Sequence, residues 1–99
     1  MIKTEFEKEI ENAFELAYTP VMLARQRLNG QDFLETAVPL LDQIRNQFGD
    51  NNEKVRIAAR TMVLAFNDKL NPQMSADDLD GMIRMLVNNG PLVRLFGRH

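Results

Sequence analysis

Apolar residues recur at steps of three and four along most of this chain, and short stop signals cut that rhythm into segments. Such spacing puts large apolar side chains on one face of an α-helix, and those faces must be buried against one another. Ile2, Phe6, Ile10, Ala13, Phe14 and Ala17 make the first face, with Glu5, Glu7, Glu9, Glu11 and Glu15 at other positions. Acids here suit the positive end of the helix dipole, and Lys3 can pair with Glu7 four residues on. Pro20 interrupts the pattern. Thr19 reads as an N-cap with Pro20 as first helical residue, so the helix is expected to kink or break there. Asn29-Gly30 is a stop and turn signal.

Phe33, Ala37, Leu41, Ile44 and Phe48 form the second face, with Pro39 inside it and Gly49 at its end. A second kink or break is expected at Pro39. Asp50 with Glu53 has capping-box spacing and opens the most apolar helix. There Val55, Ala58, Ala59, Met62, Val63, Ala65, Phe66 and Leu70 cover a wide arc, while Ile57 and Leu64 lie on the other side. A helix apolar on two sides belongs at the centre or under a covering element. Asn71-Pro72 is expected to end it. Ser75 with Asp78 repeats the cap spacing, and Leu79, Met82, Ile83 and Leu86 give the last face. Asn88-Asn89-Gly90-Pro91 then reads as a strong stop.

The expected fold is an all-α, antiparallel four-helix bundle, with the first or second helix kinked or broken at its proline. Helices over roughly 2–28, 31–48, 51–70 and 75–88 are joined by connections short enough to favour antiparallel neighbours. A chain of 99 residues allows one core. Residues 1–91 form the bundle domain, and residues 92–99 a weakly docked tail. The chain has no cysteine, so packing alone must stabilise it. Its longest uninterrupted apolar run is Met62 to Phe66, far short of the about 20 residues of a membrane span. The acidic start MIKTEFEKEIE lacks the basic and apolar regions of a signal peptide, so a cytoplasmic location is expected.

Little in the chain carries catalysis. His99, the last residue, is the sole histidine, and no nucleophile–base arrangement can be drawn around it. Asp77, Asp78 and Asp80 resemble half a calcium loop, but the glycine and distal glutamate of such a loop are missing, and charge at a helix N-terminus accounts for them. Glu7 and Glu11 share a helix face without the Glu-x-x-His motifs of a di-metal bundle. No enzyme activity, cofactor, metal or small-molecule substrate is expected. Arg56 and Arg60, four apart with Lys54 nearby, could meet phosphates. A net charge of -2 and the apolar character of the third helix speak against nucleic acid. Charge is divided unevenly, with more acids than bases in residues 1–50 and the reverse in residues 51–99.

The tail resists a purely structural reading. Leu92, Val93, Leu95 and Phe96 follow a helix stop, interleaved with Arg94 and Arg98. They either fold back onto Ile57 and Leu64 or meet a partner or membrane surface, and a weakly docked tail does both.

The helix layout, and above all residues 67–96, resembles the bacteriocin immunity proteins of the enterocin A type. "NDKLNPQMSADDLDGMIRML" looks like that family's loop and fourth helix, a cap followed by an amphipathic Leu-rich stretch, and "VNNGPLVRLF" is similar to its glycine-containing exit into the tail. The resemblance implies a cytosolic four-helix bundle that protects a producing cell from its own pore-forming peptide. It implies a protein partner, the bacteriocin-bound sugar permease of the mannose phosphotransferase system, met from the inner side of the membrane. Specificity in the family is associated with the C-terminal half, which by position gives Arg84, Leu92, Val93, Arg94, Leu95, Phe96 and Arg98 as partner-binding residues. The second reading is a helical adaptor or regulator that binds another protein through the third helix and the tail. A DNA-binding regulator comes third.

Overall fold

The computed structural model describes residues 3–25, 30–49 and 52–88. Four helices account for nearly all of them: α1 Glu5–Arg25, α2 Gly30–Phe48, α3 Glu53–Asn67 and α4 Ala76–Asn88. No strand occurs among the described residues. The protein is thus all-α, with α3 packed against each of the other three helices and α1 also packed on α2.

Neither proline breaks its helix: α1 runs through Pro20 and α2 through Pro39. Proline removes one backbone donor and frees the carbonyl four residues earlier. Both prolines are exposed, so water can take up the freed carbonyl, and burial of the opposite face keeps the helix intact. Thr19 is therefore an interior helical residue, not a cap.

The helix ends correct the expected boundaries. Thr4 and Glu7 form a reciprocal capping box at α1: the Thr4 backbone N–H donates to Glu7 Oε1 at 2.8 Å, and the Glu7 N–H donates to Thr4 Oγ1 at 3.1 Å. This occupies Glu7, and Lys3 pairs with Glu11 at 2.6 Å in place of Glu7. The cap of α3 is Asn52, whose Oδ1 accepts from the Lys54 N–H at 2.8 Å; Asp50 lies outside the described residues. Gly49, at φ +100°, closes α2 as expected, its N–H donating to the Arg45 carbonyl at 2.7 Å. α3 stops at Asn67, short of Asn71-Pro72. There the buried Asn67 side chain accepts from the Met74 N–H at 2.7 Å and ties down the following loop. Ser75 caps α4 as expected, its Oγ accepting from the Asp78 N–H at 3.1 Å.

Aromatic rings from three helices build the core. Phe33 stacks on Phe66 with centroids 4.6 Å apart, Phe14 stacks on Tyr18 at 5.1 Å, and Tyr18 meets Phe66 edge-on at 5.9 Å. Met62, Val63, Ala58 and Ala59 fill the centre from α3. The buried face of α1 runs through Ile10, Phe14 and Tyr18. It passes by Ala17, which is exposed.

Candidate functional site

The inner face of α3 is occupied by Val55, Ala58, Ala59, Met62 and Phe66. Arg56 and Arg60 fall off that face, one turn apart, and both are exposed. α4 adds Arg84, also exposed, with Asp80 one turn before it. The three arginines and Asp80 surround a groove of about 540 Å³ between the two helices, floored in part by Ile83 and Val87. Both floor residues are half-buried.

The charges are not balanced. Arg84 is paired with Asp80, with Nε to Oδ2 at 3.0 Å and a second contact from Nη2. Neither Arg56 nor Arg60 makes an ion pair among the described residues. Arg60 also borders a smaller groove of about 180 Å³, shared with Lys3, Glu7, Glu11, Leu64 and Asp68. There Glu7 is held below its ordinary pKa, first by the Thr4 backbone N–H, then by the Thr4 hydroxyl, with Arg60 and Lys3 adding smaller electrostatic help.

Arg45 of α2 sets the position of α4. It lies in the last turn of its helix and is buried, 6% exposed. Its Nη2 donates to the Leu86 carbonyl at 2.6 Å and the Val87 carbonyl at 3.2 Å, and its Nη1 donates to Asp42 Oδ1 at 3.2 Å. A cation thus meets the negative end of α4, where carbonyls have no helical partner. Since Val87 lines the groove, Arg45 fixes the height of its floor. Sequence reasoning missed this residue: an arginine beside the apolar Ile44 reads as a solvated flank, and its partners are 41 and 42 positions away.

Of the sequence-derived partner residues, Arg84 stands at the groove. Leu92, Val93, Arg94, Leu95, Phe96 and Arg98 lie outside the described residues, as does His99. Leu64, a proposed landing place for the tail, is 40% exposed. α1 also turns Leu16 and Leu23 outward at 79% and 67% exposure, with exposed Pro20 between them. Among the described residues no helix is long and apolar enough to cross a membrane.

No family model matches this chain, and neither a curated protein nor a solved structure matches it.

Proposed function

We propose that this protein is a bacteriocin immunity-type binding protein. In this reading it protects a producing cell from a pore-forming peptide by engaging the receptor–bacteriocin complex from the cytosolic side, with no catalytic step. The observation that carries the reading is the exposed cationic face that α4 shares with α3. Leu86 is the one fully buried residue among the 13 of α4, and α4 packs chiefly on α3. Leu79, Met82, Ile83, Met85 and Val87 are partly buried against the core, while exposed Arg84 and the neighbouring arginines of α3 face outward in the C-terminal half, where the family resemblance puts specificity.

The test is expression of the full chain, and of a form lacking residues 92–99, in a strain sensitive to a panel of bacteriocins. Both proteins are also melted. The expected result is protection by the full chain and a folded, helical, non-protective truncated form. A truncated form that folds and still protects would move recognition to the α3–α4 surface alone. Absence of protection by the full chain across the panel would remove the immunity reading in favour of a helical adaptor.

A further inference from the structure

We infer that the α3–α4 groove takes an acidic, amphipathic segment of a partner protein, with carboxylates against Arg56 and Arg60 and apolar side chains on Ile83 and Val87. The inference rests on the proposed function only in that α3 and α4 bear the partner surface. Three guanidinium groups converge on this groove, and among the described residues only Arg84 is held in an ion pair. That pair is itself open to solvent, with side chains 71% and 57% exposed, so it contributes little and Asp80 can yield to a competing carboxylate.

Arg56 and Arg60 lie four residues apart on α3, a rise of about 6 Å. Carboxylates one turn apart on a partner helix have the same spacing. Each guanidinium presents a planar fork that suits a carboxylate. The apolar floor calls for a segment that is also apolar along one edge, which is how amphipathic helices enter grooves. A volume of about 540 Å³ holds a few such side chains.

Charge selects among the occupants. Residues 92–99 carry Arg94 and Arg98 and no acidic side chain, so their charge does not complement these arginines. A nucleic-acid backbone laid along α4 would pass Asp77 and Asp78, both exposed, and its phosphates would be repelled there. A short acidic peptide avoids both conflicts.

The experiment is fluorescence anisotropy on the full chain. The probe is a labelled amphipathic helix with leucines on one edge and glutamates one turn apart on its flank. The wild-type protein should bind it, and added salt should weaken binding. The double variant Arg56→Glu/Arg60→Glu should bind about tenfold more weakly or worse. A probe with lysine in place of glutamate should reverse this preference, which a merely structural role of the arginines would not do. Because Arg60→Glu also meets Glu7, thermal melts accompany the titrations. If the charge-reversed protein is unfolded, Arg56→Gln/Arg60→Gln replaces it, with loss of binding expected again. Equal binding by wild type and variant, no binding at all, or preference for a DNA duplex over the peptide would each overturn the inference. Peptide binding without protection in cells would instead overturn the immunity reading and leave the groove assignment standing. Protection without peptide binding would do the opposite.

Discussion

Replacing Arg45 by Met keeps much of the side chain's length and apolar stem but removes every donor. The Leu86 and Val87 carbonyls, now bonded at 2.6 and 3.2 Å, would lose a charged partner. The expected loss is roughly 2–3 kcal/mol of stability by urea denaturation, with Arg45→Lys in between because one ammonium cannot fork. A loss under about 0.5 kcal/mol would mean that water replaces the guanidinium without penalty. Phe66→Ala is expected to cost about 3–5 kcal/mol in the same assay, since Phe66 is 3% exposed and touches rings from both α1 and α2. These two residues differ in how legible they were. Phe66 lies on a run of apolar positions that only a helix explains, whereas Arg45 is explained only by carbonyls brought to it by the fold. Tyr18 lay between them in legibility: two small residues, Ala13 and Ala17, drew the inferred stripe of α1 partly to one side of its true buried face.

Single helices show the same division between local and tertiary control. Ser75 and Gly49 act as their sequence context dictates, because a cap and a left-handed turn are local events. The behaviour of Pro20 and Pro39 is decided by which way they face. Since both are exposed, Pro20→Ala and Pro39→Ala should each raise stability by about 1–3 kcal/mol, restoring a backbone donor without crowding the core. A lower melting midpoint in either variant would show that packing depends on a bend at that proline. The N-terminus of α1 has its own pH signature. Glu7 titrates in the folded protein below its ordinary value of 4.5, so its charge stabilises the fold fully above that value. The contribution is lost as the pH falls from about 4.5 through the lower folded pKa. Glu7→Gln keeps a capping side chain without this titration. The advantage of wild type over Glu7→Gln in urea midpoint should therefore shrink on acidification through that window; a constant difference would deny the carboxylate this role.

For the molecule as a whole, the apolar breadth of the third segment correctly marked α3 as the helix around which the others gather. The groove beside it was not legible, although Arg56, Arg60 and Arg84 were each noticed, because no periodicity tells how two helices face each other. The peripheral seat of α4 has a dynamic consequence. With Leu86 as its one fully buried residue, its other apolar side chains only partly buried and Arg45 as its tether to α2, α4 has less to lose on undocking than α3. Local opening of this kind exposes amides at a free energy below that of global unfolding. Hydrogen exchange should find the amides of α4 less protected than those of α3; equal protection would mean that the helices open together. One wall of the groove would vanish in the open form, so any segment that fills it binds the closed form alone. Mass action then makes the occupant a brake on opening, slowing exchange along α4 in proportion to its occupancy.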